Sequence, residues 1–233
     1  MHDLSNKTIL AHACLFDAND DGEYRKNAER TCKVAGNKSR VDIIEIDIRK
    51  SKDGVLYCYH GSLIEYYLFF HFFKKPLAYL RKRYRVNTLA AILDVIAEEK
   101  TVFLDIKDTD ITREDICMDF ENRRFKEVIL ANKSPRFLKR FHDMPQYFVK
   151  ILNGNIFCDF YDLQKLRRDN FKYVEVVFPF QIRKRIQQKV QDAGMEFRCS
   201  GMFFFSNETY WRAIEKYGLK HISSDHIEDN LTY

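Results

Sequence analysis

The stretch Val41-Asp-Ile-Ile-Glu45-Ile-Asp47-Ile-Arg-Lys-Ser-Lys-Asp-Gly54 decides the fold of this chain. Isoleucines at positions 44, 46 and 48 alternate with Glu45 and Asp47, which is the period of a β-strand. The two carboxylates therefore project from one face of the strand and the isoleucines from the other. Ionised carboxylates are buried only beside a cation or a metal, and their oxygens suit Mg²⁺ or Ca²⁺ better than softer metals. The stretch predicts a strand that carries part of a divalent-metal site.

The rest of the 233 residues alternates short β-branched or aromatic runs with longer amphipathic segments. This alternation is typical of repeated βα units around a parallel sheet. Strands are predicted at residues 8–13, 43–48, 101–106, 127–130, 147–152, 173–178, 196–199 and 221–224. Helices are predicted at residues 23–34, 88–99, 134–141, 162–168, 182–193 and 208–217. Eight such units predict one (β/α)₈ TIM barrel over residues 1–233, with its active site at the carboxyl ends of the strands.

Residues 61–85 form an insertion after the second strand, in which aromatic residues precede the basic run Arg81-Lys-Arg-Tyr-Arg85. One interpretation is a helix packed on the barrel rim with a solvated basic end. The other is a lid or a lipid-contacting wall, because exposed aromatic patches rimmed by cations mark interaction surfaces. The second interpretation predicts peripheral membrane contact through residues 61–85.

Acidic residues and one lysine stand at the ends of two predicted neighbouring strands. Asp105 and Lys107 on the third strand repeat the two-residue spacing of Glu45 and Asp47 on the second. We expect Glu45, Asp47 and Asp105 to bind one Mg²⁺ or Ca²⁺ and to leave open positions for water and substrate. Lys107 would then hold a phosphate oxygen as a point charge. The alternative is that the strand carboxylates form salt bridges with Lys7 or Arg49, although buried ion pairs stabilise a fold weakly.

Two histidines accompany these carboxylates in the same order along the chain. His12 follows the first predicted strand, and His60 follows Cys58-Tyr59 soon after the second. A histidine can accept or donate a proton near neutral pH, as general base and general acid in phosphodiester cleavage require. The sequence therefore predicts His12 and His60 as the catalytic pair.

The ordered pattern resembles the glycerophosphodiester phosphodiesterase family, within the wider group of phospholipase C-like barrels. That family carries a first-strand His, a Glu-x-Asp pair, a Lys-Asp-Gly turn, a second His and an acidic-x-Lys pair. The matching residues here are His12, Glu45 with Asp47, Lys52-Asp53-Gly54, His60, and Asp105 with Lys107. The resemblance implies a metal-dependent phosphodiesterase barrel with the two histidines as acid and base, in which the adjacent glycerol hydroxyl often serves as internal nucleophile.

Several positions depart from that family pattern. Its His-Arg-Gly opening reads His12-Ala13-Cys14, so a phosphate-contacting arginine is missing. Asp105 stands where the family more often has Glu, and this leans toward the related sphingomyelinase D-like branch. Two alternatives therefore accompany hydrolysis of a glycerophosphodiester. One is phospholipase D-like cleavage of a lyso- or sphingo-phospholipid, and the other is a non-catalytic barrel that binds a phosphorylated ligand.

Composition and charge limit which cellular compartment and which binding partners are expected. The net charge of +5 fits an anionic substrate, and the basic clusters lie on predicted helices with apolar opposite faces, so no nucleic acid is expected. The expected partner is a small phosphodiester or a lysophospholipid, and the oligomeric state is left open. Six cysteines without a C-x-x-C pair predict free thiols in a reducing compartment. With no secretory signal in the sequence, this predicts a cytoplasmic protein.

Overall fold

The fold is built on one β-sheet. The computed structural model describes residues 6–14, 28–60, 74–154, 161–176, 182–200 and 207–224. Its strands within these residues are β1 (Thr8–Ala11), β2 (Ile43–Lys50), β3 (Leu56–Cys58), β4 (Asn87–Thr88), β5 (Thr101–Ile106), β6 (Glu127–Ala131), β7 (Phe148–Gly154), β8 (Phe171–Val176), β9 (Glu196–Cys199) and β10 (His221–Ser224). Eight of them run parallel in the order β10-β1-β2-β5-β6-β7-β8-β9. The other two, β3 and β4, extend β2 as an antiparallel arm.

Helices follow most of the parallel strands. Those in the described ranges are α1 (Glu29–Asn37), α2 (Leu77–Tyr84), α3 (Leu89–Leu93), α4 (Arg113–Phe120), α5 (Pro135–Leu138), α6 (Leu163–Arg168), α7 (Lys184–Asp192) and α8 (Asn207–Tyr217). None of the helices in these ranges is long and apolar enough to cross a membrane. The alternation of strands and helices confirms the predicted α/β class with a large parallel sheet.

Strand β2 separates two layers of the core. Ile44, Ile46 and Ile48 are fully buried in the large cluster that packs the sheet against the helices. Ile43 points the other way, into a smaller cluster shared with Phe103 and other residues of the neighbouring strands. Because side chains alternate along a strand, Glu45 and Asp47 continue the inner row above Ile43. The sequence therefore predicted correctly which face of β2 carries the acids.

The parallel strands are those of a TIM-barrel-like sheet. Among the described residues no backbone ladder joins β9 to β10, the two ends of the strand order. Their side chains do meet, because His221 Nε2 lies 3.0 Å from Glu196 Oε2. The predicted first strand ends early, since His12–Cys14 form a single 3₁₀ turn.

Helix bounds agree with the prediction at some ends and depart at others. Thr88 caps α3 as expected, accepting a hydrogen bond from the Ala91 N–H, but α3 stops at Leu93 instead of residue 99. Its continuation tightens, because the N–H groups of Val95 and Ile96 bond to carbonyls only three residues back. Helix α4 was not predicted. Its signal is the capping box of Thr112 and Asp115, in which each side chain accepts from the other's backbone N–H.

The prediction that all cysteines are free thiols is wrong for two of them. Cys14 and Cys32 form a disulfide, with their Cα atoms 4.8 Å apart. The 3₁₀ turn after β1 and helix α1 pack together, so cysteines 18 residues apart in sequence become neighbours. Cys58, Cys117 and Cys199 form no disulfide among the described residues, and Cys158 lies outside those residues. The thiol argument for a cytoplasmic protein therefore no longer holds.

Candidate active site

Three carboxylates converge at the carboxyl ends of β2 and β5. The two strands pair in parallel with Asp47 opposite Asp105, and Glu45 lies two residues earlier on the same face of β2. One oxygen from each of Glu45, Asp47 and Asp105 lies within 4.8 Å of the others. Oxygens at that spacing can share one hard cation such as Mg²⁺ or Ca²⁺. The predicted metal-ligating residues therefore come together as a cluster.

Lys107 lies inside this cluster. Its Nζ is 2.7 Å from Asp47 Oδ1 and also donates a hydrogen bond to Asp105 Oδ2. Burial alone would lower the pKa of Lys107, but Asp105 and Asp47 outweigh burial and raise it above its ordinary value. Lys107 is a cation that contacts two of the three carboxylates, with a fifth of its side chain exposed to solvent.

The two predicted catalytic histidines lie next to each other and next to the acids. The rings of His12 and His60 are 5.5 Å apart between centroids and meet edge to face. His12 Nε2 lies 3.9 Å from Glu45 Oε2. His60 follows β3, whose end is tied to β2 because the Tyr59 N–H donates to the Asp47 carbonyl oxygen. All six site residues predicted from the sequence therefore meet in one place.

The pKa values of two acids in the cluster, Glu45 and Asp47, are shifted in opposite directions. Burial raises the pKa of Glu45 to about 8, and the nearby His12 offsets only part of that rise. Burial also acts to raise the pKa of Asp47, but Lys107 and His60 hold it below its usual range. Near neutral pH the cluster without metal therefore holds an ionised Asp47 and a largely protonated Glu45.

The alternative salt bridges considered for these acids involve other groups. Arg49 Nη1 contacts Asp108 Oδ1 at 3.2 Å, and Lys7 Nζ donates to the Leu219 carbonyl oxygen. The counter-ion of Asp47 and Asp105 is Lys107, which directly follows β5. The acids thus lie beside the residue expected to hold phosphate, which keeps the cluster close to charge balance.

Glu175 and Arg198 are two charged residues near the site that were not predicted. They lie opposite each other on β8 and β9, and their apolar neighbours Val174, Val176 and Phe197 pack on the outer side. Arg198 is 3% exposed, and its guanidinium lies 3.5 Å over the Tyr173 ring. The signal in the sequence was the same as in β2, a glutamate at the inward position of an apolar strand.

The Glu175 carboxyl lies near Asp105 of the three-carboxylate cluster. Burial raises the pKa of Glu175 to about 7, while Arg198 lowers it and Asp105 raises it. Nε and Nη1 of Arg198 have no hydrogen-bond partner among the described residues. Glu175 therefore adds a fourth acid close to the candidate site, supported by a buried guanidinium.

Comparison with known proteins gives the fold a precedent. No protein-family profile and no curated protein matches this sequence. Solved structures do match, among them an Oleispira antarctica phosphodiesterase in complex with the product sn-glycerol-3-phosphate, with a TM-score of 0.72 and 15% identity over 97% of each chain.

Two further structures match over nearly their whole length. The glycerophosphodiester phosphodiesterase of Thermotoga maritima has a TM-score of 0.68 and 15% identity, covering 100% of this chain and 99% of its own. A candidate glycerophosphodiester phosphodiesterase from Galdieria sulphuraria has a TM-score of 0.75 and 15% identity, covering 97% and 96%. The chain therefore has the fold of these phosphodiesterases.

Proposed function

We propose that this chain is a phosphoric diester hydrolase that cleaves glycerophosphodiester-type substrates in a metal-dependent reaction. The observation that carries the proposal is the convergence of three acids, two histidines and one lysine at the carboxyl ends of β1, β2 and β5. The similarity in fold to glycerophosphodiester phosphodiesterases supports it. The proposal includes one domain over residues 1–233, in which β9 and β10 lie side by side and complete the barrel.

The donor set fits a hard divalent cation. Glu45, Asp47 and Asp105 offer only carboxylate oxygens, which suit Mg²⁺ or Ca²⁺. Such an ion supplies charge stabilisation to the phosphoryl oxygens and lowers the pKa of a bound hydroxyl. A bound divalent ion would displace the proton from Glu45. It would also bind Asp47 and Asp105, which Lys107 already contacts.

The histidines are placed for proton transfer. A phosphodiester is cleaved when one group removes a proton from the attacking hydroxyl and another gives a proton to the departing alkoxide. The 5.5 Å between the rings of His12 and His60 suits groups that serve the entering and leaving oxygens of one phosphorus. We therefore assign the two histidines as the acid–base pair.

Lys107 is the phosphate-binding cation of this proposal. It is held between two carboxylates, and the exposed fifth of its side chain faces solvent. Because Asp105 and Asp47 raise its pKa above the usual range, it keeps its charge near neutral pH. It can therefore balance a phosphoryl oxygen without gaining or losing a proton.

The test is turnover of glycerophosphocholine, glycerophosphoinositol, lysophosphatidylcholine and bis(p-nitrophenyl) phosphate in Mg²⁺, Ca²⁺ or EDTA. We expect EDTA to abolish turnover and His12→Asn or His60→Asn to reduce it by about 10²- to 10⁴-fold. The matched control is His142→Asn, because the His142 side chain is 73% exposed and lies outside the cluster. Turnover that survives EDTA and both site substitutions would refute the proposal.

The lysophospholipid arm of that panel tests the second candidate function, phospholipase D-like cleavage. The observation that favours it is the exposed basic helix α2 beside the site. Faster turnover of lysophosphatidylcholine than of glycerophosphocholine would support this candidate. A folded protein that binds inorganic phosphate but turns over none of the four compounds would instead support a non-catalytic ligand-binding barrel.

A further inference from the structure

We propose that the outer face of α2 docks the protein on an anionic membrane surface. This basic face consists of the exposed side chains of Lys75, Tyr79, Arg81, Lys82 and Arg83. The proposal deepens the proposed function, because it places the substrate at a lipid surface. The docking itself is measured without turnover, so the two can fail separately.

All the charged side chains of the basic face are positive. No aspartate or glutamate occurs between residues 74 and 86. Among the residues that the structure describes, no carboxylate lies within ion-pair distance of Arg81, Lys82 or Arg83. Because Arg81, Lys82 and Arg83 form no ion pair with the described acids, their charges can attract an anionic surface.

The opposite side of α2 is anchored in the protein. Leu80 is fully buried and packs with Tyr57 and Val86, and the flanking Leu77 and Tyr84 are half-buried against the same cluster. Residues three and four apart share a helix face, so this apolar stripe directs Arg81, Lys82 and Arg83 outward. The anchored helix therefore presents its cations as a fixed array.

Contacts at the start of α2 place it on the same side of the sheet as the candidate site. Strands β2 and β3 continue past the barrel as a hairpin that turns at Gly54. Asp53 in that turn accepts hydrogen bonds from the Leu77 N–H. Lys74 donates to the Lys50 carbonyl oxygen and to Asp108 Oδ2, just after the ends of β2 and β5. The basic face thus lies beyond the carboxyl ends of the strands that carry the acids.

A second contact joins the anchored side of α2 to the residue before His60. The Tyr84 ring lies 5.5 Å from the ring of Tyr59, the residue before His60. A membrane on the outer face of α2 would therefore lie across the width of one helix from the strand end that holds His60. This position suits a phosphodiester whose alcohol is part of a lipid.

A membrane explains the arrangement better than RNA does. Another exposed basic cluster, Lys165, Arg167 and Arg168, occupies the last turn of α6, just before β8 begins. In a βα unit that turn lies at the amino ends of the strands, opposite the candidate site. The cations thus do not line one track, as a bound nucleic-acid strand requires. A flat anionic surface needs only one face.

The test is co-sedimentation of the metal-free protein with vesicles of phosphatidylcholine alone or mixed with phosphatidylserine. The test variant is Arg81→Gln/Lys82→Gln/Arg83→Gln, and the matched control is Lys165→Gln/Arg167→Gln/Arg168→Gln. We expect wild type and control to bind only the mixed vesicles. The test variant should bind about a hundredfold more weakly, since each cation near the surface contributes roughly a fivefold factor. Raising the salt to about 0.5 M should release the protein.

Docking through this face would be overturned if both triple variants lost vesicle affinity equally. Binding to neutral vesicles that salt does not change would also overturn it. So would single-stranded RNA that binds more tightly than the mixed vesicles. Turnover of water-soluble glycerophosphocholine serves as the second measurement and should be unchanged in the test variant. Vesicle binding without turnover of any phosphodiester would refute the proposed function and leave docking supported. Turnover without vesicle binding would refute docking and leave the proposed function supported.

Discussion

Replacing Glu45 with glutamine should remove a pH dependence of stability that the buried carboxyl imposes on the metal-free protein. Burial raises the pKa of Glu45 to about 8 in the folded state. In the unfolded chain a glutamate titrates near its ordinary pKa of about 4.3. Between these two values the folded state holds a proton that the unfolded state releases. Glutamine has nearly the same shape and takes up no proton in this range.

The sign and size follow from linkage. A carboxyl whose folded pKa is raised contributes most at a pH below its unfolded pKa, and it loses that contribution as the pH rises toward its folded pKa. The loss is about 1.4 kcal/mol per pH unit in this window. From pH 5.5 to 7.5 the free energy of unfolding of the wild type should fall by about 2.5 kcal/mol relative to Glu45→Gln.

Urea unfolding in EDTA at pH 5.5, 6.5 and 7.5 measures this difference. Glu99→Gln is the matched control, because Glu99 is exposed. The free energy of unfolding of this control should differ from that of wild type by the same amount at all three values. A constant difference between Glu45→Gln and wild type, or one that moves in favour of wild type as the pH rises, would refute the assignment of Glu45 as a buried, protonated acid.

Three further predictions concern the surroundings of the site. Lys107→Met leaves Asp47 and Asp105 without their cation, so urea unfolding in EDTA should show a loss of about 3 kcal/mol, smaller in saturating Ca²⁺. Cys32→Ser opens a cross-link between cysteines 18 residues apart, and its free energy of unfolding should fall by about 3 kcal/mol, as reductant should also cause in wild type. Thr112→Ala removes the capping box of α4 and should cost about 1 kcal/mol in the same assay, whereas an unchanged midpoint would exclude that cap.

Much of the candidate site was predictable because strand periodicity alone determines it. Glu45 and Asp47 share a face at a two-residue spacing, and Asp105 with Lys107 repeats that spacing on the strand that pairs with β2. Parallel pairing then places one acidic pair beside the other. No long-range information beyond strand order is needed for this convergence.

Other features depend on which chain segments meet in space. The spacing of Cys14 and Cys32 carries no motif, and their pairing needs the packing of α1 against the turn after β1. The contact of Lys107 with Asp47 depends on side-chain direction rather than on strand order. Glu175 could have been found from its inward position in an apolar strand, but its approach to Asp105 depends on the curvature of the whole sheet.

The disulfide between Cys14 and Cys32 affects the opening His12-Ala13-Cys14. Ala13 and Cys14 both have positive φ angles, 48° and 64°, which cost an L-residue about 1 kcal/mol and cost glycine nothing. Cys14 therefore bears a backbone strain that the glycine of a His-Arg-Gly opening avoids, and its disulfide to Cys32 fixes the strained turn.

Ala13 is fully buried, so a long side chain at this position meets packed atoms rather than the mouth of the site. An arginine placed there would have to displace its neighbours before it reached a phosphate. Under the proposed function, a different element must therefore contact the phosphate. We propose Lys107 for that contact, because its side chain is a fifth exposed and two carboxylates hold it at the end of β5.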